Sequence, residues 1–321
     1  MRIGQNPAKA IRHVARPERV TVALLTAIPG SGGEQTSRQL AELRDCLASL
    51  WAHTEGPYDV LVFDNASCPE AKTYLEMAHR QGRIQYLVFS DKDVGRSGAW
   101  NFIFNAAPGE IIAYADSDLY FYPGWLSAQL AVLERFSQLG MVTGMPVRHS
   151  IPSPASDGFY AEQHAQWHWQ RGAFLPWDEY WGYQRNLGVT EEHTRQSYAD
   201  SEDLVLTADD EHFYAGAADF QFVAPKQALL KVLPFPTDCS PGQQWHLEMA
   251  LAEQGYLCLS TAERWVRPLR NDRNDLVPVK TSKDQAPLAA QGQPFSFWKL
   301  KPVRALVRWV YHRTFELLHK R

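Results

Sequence analysis

The sequence predicts an α/β fold, a mainly parallel sheet with helices on both faces, and three observations predict it. From residue 20 to about residue 145, short runs rich in β-branched and apolar residues alternate with segments whose apolar positions recur at helical spacing. Each run closes in a loop rich in Gly, Pro, Asp, Asn or Ser, the residues that terminate strands and cap helices. The polar residues left over gather at the carboxyl ends of the runs, where open parallel sheets bind their ligands.

The elements follow in order. Residues 20–28 form a buried strand that stops at Pro29-Gly30-Ser31-Gly32-Gly33. A helix follows from Thr36 or Ser37 as N-cap, with Leu40, Leu43, Leu47 and Leu50 on its apolar face. The second strand, residues 59–63, ends in Asp64-Asn65-Ala66-Ser67. Pro69 opens a helix running to Gln81, with Gly82 just past its end. Residues 84–89 are the third strand, 90–97 a polar loop, and a helix runs on through Ala107. The fourth strand begins at Ile111 and delivers Asp116-Ser117-Asp118. Pro123-Gly124 then leads to a helix over residues 125–139, ended by Gly140, and residues 141–144 resemble a further strand.

Composition narrows the function classes. A chain of 321 residues with 45% hydrophobic and 21% charged residues fits one large α/β domain or two smaller ones. The net charge of −4, with Lys and Arg spread along the length, excludes a dedicated nucleic-acid binder. Cys46, Cys68, Cys239 and Cys258 are far apart in sequence and lack metal-ligand spacing, so buried, reduced thiols are expected. No apolar segment follows the basic N-terminal residues, and no stretch approaches the ~18 apolar residues of a membrane span. The expectation is a cytoplasmic protein.

The acidic tip of the fourth strand carries the chemistry. Asp116 and Asp118 are spaced i and i+2, so in an extended chain both point to one side. Mg2+ or Mn2+ takes one or two protein carboxylates and fills its remaining positions with water and phosphate oxygens, which this pair leaves open. Carboxylates after strands also serve in turns and helix caps, and the pair alone does not choose between these roles. Thr26, Asp64 and the loop from Asp93 to Arg96 fall at the same strand ends.

Taken together, Phe63-Asp64-Asn65-Ala66-Ser67, then Gly95 with Ala99-Trp100-Asn101, then Gly109-Glu110 before Asp116-Ser117-Asp118, resemble the nucleotide-sugar half of a GT-A glycosyltransferase, closest to family 2. The resemblance covers about residues 20–145. It implies a GT-A fold, a nucleoside diphosphate sugar donor, and a divalent metal held by Asp116 and Asp118. Thr26, Ala27, Asp64, Asn65, Gly95, Arg96, Asn101, Asp116 and Ser117 would line the donor site, with Asp64 on the nucleobase. Trp100 stands where the family has Arg, which puts a diphosphate contact there in doubt.

Residues 146–274 would form the acceptor half. The stretch 146–215 is rich in Trp, His, Pro and acidic residues, a composition that suits a saccharide or glycolipid acceptor, since rings stack on sugar C–H faces and carboxylates take hydroxyls. A satellite core under a long loop explains the same tryptophans. Residues 216–224 resemble the family's returning strand. Counting back from Gly255-Tyr256 puts Gln243 and Gln244 where the family has an acidic pair that includes the general base, and glutamine takes no proton. Asp238 and Asp219 are the substitutes, with Glu248 assigned to the outer face of its helix. The family's late His, often a third metal ligand, is missing; Arg264, Arg267, Arg270 and Arg273 crowd that region, and one of them could neutralise the diphosphate.

Residues 1–19 read as an extension and 275–294 as a linker. Residues 295–321 read as a basic amphipathic C-terminal helix that could lie on an anionic membrane surface or pack on protein. The whole predicts a metal-dependent, inverting transfer of a sugar to a hydroxyl. A sugar-1-phosphate nucleotidyltransferase and a non-catalytic glycan-binding protein are the alternatives.

Overall fold

The computed structural model describes residues 14–30, 32–148, 159–186, 188–237 and 243–269. The chain opens with β1 (Val20–Thr26), α1 (Gly33–His53), β2 (Asp59–Asn65), α2 (Pro69–Arg80), β3 (Tyr86–Ser90), α3 (Gly95–Ala106) and β4 (Ile111–Asp116). Next come β5 (Leu119–Phe121), α4 (Trp125–Arg135) and β6 (Leu139–Thr143), then α5 (Phe159–Gln163), β7 (His168–Gly172), α6 (Trp177–Asn186) and α7 (Glu191–Asp200). The remainder is β8 (Asp203–Ala208), β9 (Glu211–Ala215), β10 (Gln221–Pro225), α8 (Lys226–Lys231), α9 (Gln243–Glu253), β11 (Leu257–Thr261) and β12 (Val266–Pro268). The chain forms two compact units: among the described residues, 14–147 with 216–269, and 148–215.

The first unit is the α/β fold the sequence predicts. Its strands run in the order β3-β2-β1-β4-β10-β6-β11, with β12 and β5 forming a separate pair. The neighbours β3, β2, β1 and β4 are parallel, as are β6 and β11, while β10 runs antiparallel to both β4 and β6. Every residue of β1 and β2 is buried, so both faces of the sheet are covered there. That is why these strands read as continuous Val/Leu runs rather than alternating ones. Each Val or Leu so buried contributes about 1.5–3 kcal/mol.

Of the boundaries that differ from the sequence reading, four have a clear physical account. Helix α1 begins at Gly33, behind Gly32 in a left-handed conformation, and the hydroxyl of Thr36 turns back toward the carbonyls of Pro29 and Gly32 instead of capping. Helix α3 starts at Gly95, so the loop before it is shorter than expected. Helix α4 stops at Arg135, because residues 139–143 are drawn into β6. Gly140 is needed there for close approach: a Cβ on it would lie 2.7 Å from that of Tyr256. The strand ends at Asp116, and Ser117 and Asp118 form a turn before β5, so the two carboxylates do not share one extended face.

In the second unit, β7, β8 and β9 form an antiparallel meander. Its centre is a buried ion pair, Arg148 to Asp203, with both side chains 1% exposed. The Arg148 guanidinium lies 4.2 Å from the ring centre of Tyr198 and 5.5 Å from that of Tyr180. Asp203 also accepts the backbone N–H groups of Phe174 and Leu175, and Trp177 and Trp181 stack one turn apart on α6 with centroids 6.1 Å apart. The tryptophans of this stretch that belong to α6 are thus half-buried and packed on each other, as the satellite-core reading expects.

Candidate active site

Strand register brings the predicted residues to one edge. Thr26 pairs with Asp64 across β1 and β2, and Leu25 pairs with Asp116 across β1 and β4. Three chain segments distant in sequence therefore end side by side at the carboxyl end of the sheet, where a ligand is met in open α/β folds.

Asp64 and Thr26 are both fully buried, and each has an atom without a partner. Oδ2 of Asp64 accepts the Ser67 backbone N–H at 3.3 Å, while Oδ1 of Asp64 and Oγ1 of Thr26 make no hydrogen bond. Burial pushes the Asp64 carboxyl above its usual range, against the lowering effect of Ser67 and the Lys72 charge. Buried polar atoms left in this condition cost about 1–3 kcal/mol each, and a cleft that leaves two adjacent ones is suited to a polar ligand. Asn65, in contrast, is spent on protein: its amide donates to Asp93 and accepts from the Val94 N–H, and Asp93 also accepts the Gly95 N–H. It shapes the loop that delivers Gly95, in a left-handed conformation, and Arg96 to the first turn of α3.

Arg96 joins two of the predicted carboxylates. Its guanidinium donates to Asp116 at 2.7 Å and to Asp219 at 2.8 Å, and the hydroxyl of Tyr114 donates to the other oxygen of Asp116 at 2.7 Å. Burial raises the Asp116 carboxyl to about 7; Asp118 and Asp219 add to that effect, and Arg96 and Tyr114 oppose it. Asp118 sits in the turn, its carbonyl accepting the Leu269 N–H at 2.8 Å. Among the described residues, no three His, Cys, Asp or Glu side chains gather as a metal cage. A pair of carboxylates at the strand's end still fits Mg2+ or Mn2+, which draws its other ligands from water and phosphate.

The remaining expectations resolve one by one. Trp100 is fully buried against Phe104, Tyr114, Phe222 and Phe235, a core residue in the position of the family's Arg; the cation at this edge is Arg96, one turn earlier. Asn101 clamps the backbone of Phe235, donating to its carbonyl at 2.9 Å and accepting its N–H at 2.7 Å. Ala27 is exposed in the loop after β1, and Ser117 is half-buried in the turn between the carboxylates. Asp219 lies beside Asp116, whereas Asp238 lies outside the described residues, as do the side chains of Gln243 and Gln244, Cys239, Arg270, Arg273 and the segment 295–321. Glu248 is a correction: it is fully buried rather than on the outer face, since it precedes the buried Leu251 and Ala252 by three and four residues on α9. The sequence reading missed Tyr114, which looked like one more apolar strand residue; it named the loop that begins at Asp93 but gave Asp93 itself no role.

Residues 37–152 match the model of Glycosyl transferase family 2, the family whose features the sequence resembles. No curated protein matches the chain. Among solved structures, a mannosyltransferase, PcManGT from Pyrobaculum calidifontis in complex with GDP-Man and Mn2+, is 17% identical with a TM-score of 0.47, covering 77% of this chain and 55% of that one. GalNAc-T7 with UDP, GalNAc and Mn2+ is 13% identical with a TM-score of 0.48, covering 75% and 42%. S. aureus TarS 1-349 is 11% identical with a TM-score of 0.45, covering 78% and 60%. The chain spans about half the length of these structures. Among the described residues no helix is long and apolar enough to cross a membrane.

Proposed function

We propose that the chain is a glycosyltransferase that moves a sugar from a nucleoside diphosphate donor to a hydroxyl of a saccharide or glycolipid acceptor, with inversion. The observation that carries this is the buried pair of unpartnered atoms, Thr26 Oγ1 one strand and Asp64 Oδ1 two strands from Asp116, at the same end of the sheet. Asp64 would accept a ring N–H of the base, and the Thr26 hydroxyl would meet a neighbouring polar atom. Such an edge exists on both uracil and guanine, so the base stays open. Gly95 and Arg96 form the rim of the donor cleft, with Arg96 holding Asp116 in place.

Asp118, with Asp116 beside it, would hold Mg2+ or Mn2+. When bound, that ion supplies a charge sink for the departing diphosphate. Asp219 or Asp238 would take the proton of the attacking hydroxyl. Asp219 stands at the site, with its carboxylate engaged by the Arg96 it shares with Asp116. The half-buried Trp177 and Trp181 of the second unit would offer a ring face to an acceptor sugar, and residues 295–321 would bring the enzyme to an anionic membrane surface at the inner face of the cytoplasmic boundary.

The test is donor hydrolysis across a set of UDP- and GDP-sugars, with Mn2+ and then with EDTA. Turnover that needs the metal and is lost in Asp118→Ala supports the proposal, and metal-independent turnover or an active Asp118→Ala removes it. Gln243 and Gln244 favour a second reading, a protein that binds saccharide and leaves the donor intact. Prolonged incubation with every donor unchanged, alongside measurable saccharide binding, would select it.

A further inference from the structure

We infer that Arg267 binds the diphosphate of the donor, as a fixed positive charge beside Asp118; this rests on the donor reading above. Arg267 lies on β12, directly across the antiparallel ladder from Tyr120 on β5, the strand that starts immediately after Asp118. The ladder continues one step further through the hydrogen bond from Leu269 N–H to the Asp118 carbonyl. Arg267 is therefore the diagonal neighbour of Asp118, and such neighbours have backbones roughly 7–8 Å apart. A diphosphate held at Asp118 is within reach of a side chain as long as arginine.

The state of the guanidinium points the same way. Arg267 is 7% exposed, and its Nε and Nη2 are buried with no hydrogen-bond partner. Its closest aromatic neighbour is the Tyr120 ring, 6.0 Å away, a weak contact for a desolvated cation. Two other arginines have carboxylate partners: the half-buried Arg96 is held by Asp116 and Asp219, and the buried Arg148, although its Nη1 is unfilled, pairs with Asp203. A cation taken out of water with donors unfilled is expensive unless an anion completes it, and arginine's fork of N–H groups matches phosphate oxygens. Arg96, already neutralised by two carboxylates, is poorly placed to serve this purpose. Of the two late arginines among the described residues, Arg264 also leaves its Nε unfilled, but Arg267 is the one that the β5–β12 ladder sets beside Asp118, with two donors unfilled.

The experiment is equilibrium binding of UDP, UMP and uridine, and of GDP, GMP and guanosine, to the full-length wild type, Arg267→Ala, Arg267→Met and Arg267→Lys. Each titration is run with Mn2+ and again in EDTA. Arg267→Ala is expected to weaken the diphosphate about tenfold to a hundredfold, in both metal conditions, and to leave the matching nucleoside unchanged. Arg267→Met, which keeps the apolar stem, should repeat that loss without lowering the melting temperature of the ligand-free protein, and Arg267→Lys should recover only part of the affinity because it lacks the fork. Diphosphate binding at the wild-type level in Arg267→Ala and Arg267→Met would overturn the inference. So would an equal loss of diphosphate and nucleoside, the mark of a purely structural role. A wild type that binds none of the six ligands would overturn the donor reading itself, a result distinct from either.

Discussion

Asp64 bears a cost in the ligand-free protein that only a ligand would relieve. Its carboxyl is buried, one oxygen is unfilled, and burial pushes it above the ordinary value of 3.8. The folded state therefore favours the protonated form, so the group's stabilising contribution is present below pH 3.8 and is lost as pH rises through its raised folded value. Asp64→Asn is expected to stabilise the ligand-free protein at pH 7 by about 1 kcal/mol, with the difference vanishing in acid, and to abolish nucleotide binding. Urea unfolding at pH 3 and pH 7 checks the first part; a difference that is the same at both pH values would contradict it. At this scale the sequence was informative about Asp64 and Asp116, whose place at the end of a strand could be read from neighbouring residues, whereas Arg96, expected in a loop, lies in the first turn of α3. The sequence was silent on Tyr114, because a hydroxyl that reaches Asp116 looks no different in sequence from a ring in the core.

At the scale of elements, the strands were legible because burial on both faces leaves unbroken Val, Ile and Leu runs. Boundaries set by tertiary contact were not. Nothing local shows that Leu139 and Gly140 leave α4 for β6, since the reason is Tyr256, more than a hundred residues away in the chain. The turn at Ser117 and Asp118 is likewise held from outside, by Leu269. Asn101, singled out by a motif, has a partner that the motif does not name: its amide meets the main chain of Phe235, a separation of 134 residues. In the second unit, the Arg148–Asp203 pair joins the first residue of the unit to the start of β8, with both side chains out of water. Asp203→Ala leaves the guanidinium buried without its carboxylate and is expected to destabilise the protein by about 3–5 kcal/mol. Adding Arg148→Met to it should recover part of that loss. Chemical unfolding followed by tryptophan fluorescence reads both, and an Asp203→Ala variant as stable as the wild type would contradict the buried-pair account.

For the molecule as a whole, the first unit places Thr26, Asp64 and Asp116 together at the carboxyl edge of a mainly parallel sheet. Between residues 147 and 216 the chain leaves that unit for a second one with its own antiparallel strands and aromatic core. The family match, at residues 37–152, falls mostly on the part whose order of strands and acidic tips was readable from the sequence. The rest depends on contacts that no local pattern encodes. The central proposal is that Asp118, with Asp116 beside it, holds a divalent ion together with the donor's diphosphate, and Mn2+ electron paramagnetic resonance tests this directly by counting free ion in solution. The account predicts that wild-type protein with UDP or GDP removes one Mn2+ per chain from the free signal, that protein without nucleotide removes far less, and that Asp118→Asn with nucleotide removes none beyond what nucleotide alone takes up. Undiminished Mn2+ uptake by Asp118→Asn in the presence of the nucleotide would contradict it.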